Sequence, residues 1–319
     1  MTGTGASLRT HYDVLLLDLD GTVYRGAEAV PGAREALSDG AERLFYVTNN
    51  ASRRPGEVAK HLRELGFAAD ESNVVTSSQS AARLLAERVP AGAPVLVVGT
   101  EALVDEVAGV GLVPVRSADA DPVAVVQGHS PETGWVILAE ATLALRSGAL
   151  WVATNVDSTL PTERGLVLGN GSMVAALRSA TGREPLVAGK PAAPLIEDAV
   201  VRSGASRPLV VGDRLDTDIA GAKAVGVDSL LVLTGVSTVA DLLRAPAEQR
   251  PTYVADSLAS LDGEAAELRP GTREPHAVSF DGRDVHLAPQ PAADPMAALR
   301  AVLDVAWSHP GFGRVVATD

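Results

Sequence analysis

The chain has 319 residues, 46% of them hydrophobic and 21% charged, with no cysteine and a formal net charge of −13. That length and apolar content suffice for two ordinary domains around large cores, while the lack of cysteine excludes disulfides and thiol chemistry. The negative charge repels nucleic acid and anionic membrane surfaces, so neither is an expected partner, and any phosphate site must create its own local positive charge.

In chain order, Met1–His11 is short and polar and does not read as a signal peptide. Val14–Leu17 reads as a buried strand, followed at once by Asp18-Leu19-Asp20-Gly21-Thr22. Leu44–Val47 reads as a second strand and runs into Thr48-Asn49-Asn50. Val58, Leu62 and Leu65 then recur at helical spacing. Val95–Val98 and Val123–Val126 are further strands. The longest hydrophobic stretch, Trp135 to Val156, contains Glu140 and Arg146 and breaks at Ser147-Gly148. It reads as a buried helix, with Ile137, Leu138, Ala141 and Leu145 on one face, and a strand at Leu150–Ala153, not as a membrane span. A cytoplasmic protein is expected. Gly189-Lys190 opens a helix, and Leu209–Val211 leads into Gly212-Asp213 and on to Asp216 and Asp218, before a last strand at Leu230–Leu233. Strands alternating with helices predict an α/β fold of parallel sheets covered on both faces.

In such sheets ligands bind beyond the carboxyl ends of the strands, so the residues after each apolar run are the ones to examine. Asp18 and Asp20 follow the first run, and Asp213 follows another. Carboxylates gathered at one point need a cation or a proton between them, and a hard ion with oxygen ligands, Mg2+, suits them. An aspartate is also a nucleophile toward phosphorus. A second carboxyl beside it can protonate a leaving alkoxide and then activate water. Thr48 and Lys190 offer the donors that phosphoryl oxygens require. Singly, each of these segments also reads as a turn, a helix cap or a solvated acidic helix start; jointly they complete a phosphoryl-transfer site.

Asp18-Leu19-Asp20-Gly21-Thr22-Val23-Tyr24-Arg25-Gly26, Thr48-Asn49-Asn50, Gly189-Lys190-Pro191 and Gly212-Asp213-Arg214-Leu215-Asp216-Thr217-Asp218 resemble the four motifs of the haloacid-dehalogenase (HAD) superfamily, in its 4-nitrophenylphosphatase and phosphoglycolate phosphatase-like subfamily. The resemblance spans about Tyr12 to Leu261. It implies a Rossmann-like parallel-sheet core at 1–78 and 186–263 and an inserted α/β cap at 79–185, whereas the tail at 264–319 departs from the subfamily's usual pattern and reads as a short C-terminal α+β appendage. By the same resemblance Asp18 is the nucleophile and Asp20 the acid/base. Mg2+ is held by the Asp18 carboxylate, the Asp20 main-chain carbonyl and the Asp213 carboxylate, with Asp218 supporting the metal site and Lys190 from behind. Thr48, the Asn49 backbone and Lys190 grip the phosphoryl group. Ion-pumping relatives carry threonine where this chain has Asp20, so an acid there argues for hydrolysis.

In the cap, Asn155, Asp157, Arg164 and Gly169-Asn170-Gly171-Ser172 read either as substrate contacts or as a strand end, a loop and a helix cap at Ser172. His129 and His286 lack partners at metal-ligand spacing and are expected at the surface. In the tail, Val278–Leu287 reads as a hairpin around Asp281-Gly282, and Asp294-Pro295 starts a helix with Leu299, Val302, Leu303 and Ala306 on one face. Such an appendage resembles that of actinobacterial glycerol-3-phosphate phosphatases, and its residues suggest packing, not chemistry. The expected activity is phosphomonoester hydrolysis of small esters through an aspartyl-phosphate. Glycerol 3-phosphate is favoured; phosphoglycolate, pyridoxal phosphate and nucleotides stand behind it, followed by a phosphotransferase or a receiver-like phosphate acceptor. The partner is then a small phosphate ester, and a homodimer is compatible with the chain.

Overall fold

In the computed structural model, residues 6–38, 40–162, 164–271, 276–288 and 294–318 are described. The chain forms two compact units, residues 1–45 with 203–319 and residues 46–202.

In the first unit the strands Val14–Leu17, Pro208–Gly212, Asp228–Val232 and Tyr253–Ala255 lie side by side in that order, all parallel. Val14 pairs with Pro208, Leu209 with Asp228 and Leu230 with Tyr253. All four residues of Val14–Leu17 are buried. A continuous apolar run is what a strand covered on both faces requires, since alternate side chains enter opposite cores. Asp13, just before this strand, accepts from Ser206 N and Oγ and from Arg207 N, at 3.0, 2.7 and 2.9 Å. It thereby ties the start of the neighbouring strand in register.

The tail belongs to this unit. Asp294 caps the helix Pro295–Ser308 by accepting from Met296 N and Ala297 N, as expected for an Asp-Pro helix start. Leu303 of that helix enters the core cluster that holds Leu215, Ile219, Leu231, Leu242 and Val254. Val302 and Ala306 pack instead with Val285 and Phe312. The hairpin strands are Val278–Phe280 and Val285–Leu287, and the second pairs in parallel with Val315–Ala317, a strand the sequence reading did not foresee. Buried Arg300 donates Nε to the Val254 carbonyl at 2.8 Å.

The second unit has a parallel sheet in the order Leu186–Val187, Leu150–Ala153, Ala124–Gln127, Pro94–Val98, Val113–Val115. One face packs against the helices Ser77–Ala86 and Glu101–Gly109 through Ala81, Leu84, Leu85, Leu103 and Val107. The other packs against Trp135–Arg146 and Asn170–Thr181 through Ala141, Ala144, Leu145, Val174 and Leu177. A hairpin of Thr159–Thr162 and Gly165–Leu168 leaves this sheet. Tyr46–Thr48 pairs in parallel with Val74–Thr76.

The helix Trp135–Arg146 is not buried all round, as its hydrophobicity suggested: Trp135, Val136 and Leu143 are exposed, with Trp135 at 81%. Among the described residues no helix is long and apolar enough to cross a membrane.

Candidate active site

The first unit presents carboxylates at the ends of its strands. Asp18 N–H donates to the Val211 carbonyl at 2.8 Å, which continues the parallel ladder one residue past Leu17 and holds Asp18 at the strand mouth. The chain then turns: the Leu19 carbonyl accepts from the N–H groups of Thr22, Val23 and Tyr24. Gly21 adopts φ +93°, open to glycine and strained for other residues, and Thr234 Oγ1 donates to its carbonyl at 2.7 Å.

Asp213 follows the strand Pro208–Gly212 and is fully buried, as is Asp218, while Asp18 is half-buried. Oxygens of Asp18, Asp213 and Asp218 all lie within 4.8 Å of one another. Their burial rules out a solvated acidic helix start. Val236 N donates to Asp213 Oδ2 at 2.5 Å and Ser237 N to the Asp213 carbonyl at 3.1 Å. Arg214 N donates to Asp218 Oδ2 at 3.1 Å. Asp216, by contrast, is exposed and takes both arms of the Arg214 guanidinium at 3.0 and 2.7 Å, which lowers its pKa.

Two buried carboxylates and a half-buried one at this separation repel unless a cation joins them. The donor set is all oxygen and includes three carboxylates, which fits Mg2+. Asp218 thus stands beside Asp18 and Asp213, next to the metal site that the resemblance has it support. Asp20 is exposed, yet burial of its carboxyl raises the pKa, with the positive charge of Arg25 opposing.

The Thr234–Ser237 loop around Asp213 was missed in the sequence. It directly follows the last predicted strand, so the rule of reading strand ends applied there too.

In the second unit Thr48 and Lys190 are buried and Asn49 is half-buried. Lys190 Nζ donates to the Val47 carbonyl at 3.2 Å, and the peptide Lys190–Pro191 is cis. Asn49 Oδ1 accepts from Lys190 N at 2.8 Å, and its Nδ2 donates to the Lys190 carbonyl at 3.0 Å and to Asp157 Oδ2 at 3.1 Å. Asn50 N donates to Thr48 Oγ1 at 3.1 Å.

The cap residues are placed differently from one another. Asn155 is buried and Asp157 half-buried, both with side chains toward Asn49, whereas Arg164 is exposed at the hairpin turn. The helix expected to be capped by Ser172 begins earlier, at Asn170, with Gly169 as its cap residue. The Gly171 N–H goes to the Asp157 carbonyl, and the Ser172 hydroxyl donates to the Ser158 carbonyl instead of capping. His129 is half-buried, with its pKa lowered by burial. His286 is also half-buried, and its Nε2 contacts Asp281 Oδ2 at 2.8 Å.

Residues 15–113 match the family model of haloacid dehalogenase-like hydrolases, and residues 187–261 match a second, HAD-hydrolase-like model. A D-glycerol 3-phosphate phosphatase of Mycobacterium tuberculosis is 60% identical over 255 residues, covering 80% of this chain and 72% of the relative. The chain belongs to the haloacid dehalogenase-like hydrolases. Acid sugar phosphatases from Staphylococcus aureus are 36% identical over 263 residues, 81% of this chain and 98% of theirs. A crystal structure of a glycerol phosphate phosphatase from Mycobacterium tuberculosis in complex with magnesium superposes with TM-score 0.95 at 52% identity, over 99% of this chain and 96% of that one. A p-nitrophenyl phosphatase from Archaeoglobus fulgidus gives TM-score 0.72 at 30% identity, over 80% and 99%. The parallel-sheet α/β architecture expected from strand–helix alternation is therefore that of the HAD-like hydrolases, and the enzyme is a phosphatase.

Proposed function

We propose that this phosphatase hydrolyses glycerol 3-phosphate, with the Asp18 carboxylate attacking phosphorus and Asp20 serving as acid and then base. The observation that carries the reading is the carboxylate cluster: Asp18 at a strand mouth, with oxygens of Asp213 and Asp218 within 4.8 Å. The substrate choice is supported by the D-glycerol 3-phosphate phosphatase that shares 60% of its aligned residues with this chain.

Asp18 and Asp213 would supply carboxylate oxygens and Asp20 its main-chain carbonyl to Mg2+, with Asp218 beside them. When bound, Mg2+ would offset the negative charge of the carboxylates and of the phosphoryl group, so that an Asp18 oxygen can attack. That oxygen forms the bond to phosphorus as the ester oxygen departs. Asp20, two residues on and exposed, delivers its proton to the departing alkoxide. The carboxylate left at position 20 then takes a proton from the water that hydrolyses the aspartyl-phosphate. Thr48, the Asn49 main chain and Lys190 hold the phosphoryl oxygens. The guanidinium of Arg164, exposed at the hairpin turn of the proposed 79–185 cap, suits the hydroxyls of the organic part of the ester.

A cytoplasmic location and a homodimer belong to the same proposal. The second is supported by the exposed Trp135, Val136 and Leu143, which a second copy would cover.

The test is kcat/KM at saturating Mg2+ for glycerol 3-phosphate, phosphoglycolate, pyridoxal phosphate, nucleotides and a phosphopeptide. Glycerol 3-phosphate is expected to lead, with all activity abolished by a chelator and restored by Mg2+. A nucleotide or phosphopeptide leading by about tenfold would overturn the substrate assignment.

A further inference from the structure

Asn155 and Asp157 stand just past the cap strand Leu150–Ala153, where the sequence left open substrate contacts or a strand end and loop, and their side chains turn to Asn49. Both hydrogens of the Asn49 amide are engaged, one by the Lys190 carbonyl at 3.0 Å and one by Asp157 Oδ2 at 3.1 Å, while its oxygen takes the Lys190 N–H at 2.8 Å. Asp157 Oδ2 accepts from the amide nitrogen, so it selects the amide orientation that also matches the donor and acceptor of the Lys190 main chain. The Asn49 carbonyl is held as well, by Ser77 Oγ at 2.6 Å and Asn155 Nδ2 at 2.8 Å, which uses both of its lone pairs.

The chain at 189–190 is pressed into this arrangement. A Cβ on Gly189 would lie 2.5 Å from the Thr154 carbonyl oxygen and 2.6 Å from Asn49 Oδ1. Asn155 is braced in turn: its Oδ1 accepts from Asp157 N at 3.3 Å and its carbonyl from Asn170 Nδ2 at 2.7 Å.

From this geometry we propose that Asp157, Asn155 and Ser77 are positioning residues that act through Asn49 on the phosphate-gripping Lys190, so that a cap residue sets affinity for the phosphoryl group itself. The proposal rests on the phosphate-binding role given to Lys190 above. A lysine ammonium ends a flexible four-carbon stem, and its precision depends on how firmly the main chain and stem are held. Here Asn49 grips the main chain of Lys190, and the Val47 carbonyl receives its Nζ. Asp157 lies 33 residues from that lysine along the chain, and the Asn49 amide touches both.

A residue acting on Lys190 changes binding of every phosphate alike, whereas a residue touching the glycerol moiety changes binding of that ester alone. The test measures, in the Mg2+-loaded enzyme, the Ki of inorganic phosphate as inhibitor and KM for glycerol 3-phosphate and 4-nitrophenyl phosphate. Asp157→Ala should raise all three by a common factor of about ten, the order expected for loss of a hydrogen bond to a charged group. Asp157→Asn, which keeps an acceptor oxygen, should restore them to within about threefold. Ser77→Ala, at a buried hydroxyl donating to the Asn49 carbonyl, should give a smaller rise of about threefold, again common to all three. It decides the matter if Asp157→Ala does not fold. An unchanged phosphate Ki with a raised KM for glycerol 3-phosphate alone would overturn the proposal and make Asp157 a substrate contact. Failure of the wild-type enzyme to hydrolyse any phosphate ester would instead refute the functional reading on which it rests.

Discussion

Gly21 and Asp213 lie against each other with no room for a side chain at position 21: a Cβ there would sit 2.6 Å from Asp213 Oδ2. Gly21 also holds φ +93°, which costs a residue with a Cβ about 1–2 kcal/mol. Gly235 closes on the same carboxylate from the other side. Gly21→Ala should therefore displace Asp213 and raise the Mg2+ concentration for half-maximal activity by at least about tenfold, with a fall in Tm of a few degrees. Metal titration of the variant checks this. An unchanged half-saturation point would remove Asp213 from the proposed ligand set.

Asp18→Asn is nearly isosteric and should fold as the wild type does, yet turnover should fall to background for every ester. Retention of a tenth of wild-type activity in a preparation free of contaminating phosphatase would exclude Asp18 as nucleophile. Asp20→Asn keeps the main-chain carbonyl and so spares metal binding. It should slow glycerol 3-phosphate by about 10²–10⁴-fold, and 4-nitrophenyl phosphate much less, because a good leaving group needs little protonation. Equal losses on the two esters would contradict the acid role.

Asp13 gives a pH dependence of stability. Hydrogen bonds from Ser206 and then Arg207 lower its pKa from the usual 3.8 to about 2. The folded value lies below the unfolded one, so the unfolded state binds the proton more readily. The stabilisation is fully present above about pH 4 and is lost as pH falls through about 2. The Tm difference between wild type and Asp13→Asn should stay constant from pH 7 down to about 4, then shrink as the pH falls further. A difference independent of pH across that window would mean that the charge of Asp13 contributes nothing.

Leu303 is fully exposed to the core and not to water, and it shares a cluster with Leu231 and Val254. Leu303→Ala should cost about 2–5 kcal/mol by losing buried methyl groups and leaving a cavity. The kinetic constants of the surviving folded protein should stay within about twofold of wild type, as packing without chemistry in the tail implies. A stable variant with altered substrate preference would show that the tail shapes the site. Chemical denaturation and the ester panel read both quantities from one preparation.

Much of this enzyme was legible in its sequence because strand ends and motif residues are local signals. Uninterrupted apolar runs identified Val14–Leu17 and Leu150–Ala153 with the bounds the fold shows, and a parallel sheet places its chemistry just past such runs. Asp18, Asp20, Thr48, Asn49 and Asp213 were singled out that way as candidates, and Lys190 at a helix start. Short elements escaped: Val74–Thr76 and Tyr253–Ala255 are strands of three residues, too brief to show a period, and exist because a neighbouring strand supplies their hydrogen bonds. Trp135 and Val136 were read as interior because hydrophobicity along a helix does not say which face a sheet will cover.

What only the tertiary structure decided is direction and distance between residues far apart in the chain. That the Thr234–Ser237 loop wraps Asp213 and that Asn155 and Asp157 turn to Asn49 are settled by side-chain orientation at chain separations no local pattern encodes. Asn49 and Lys190 are 141 residues apart and follow strands of different sheets, so their pairing appears only in the folded chain. Residue type determined which chemistry was available. Long-range packing decided which of those groups face one another, because a hydrogen bond depends on ångström-scale separation and not on position in the sequence.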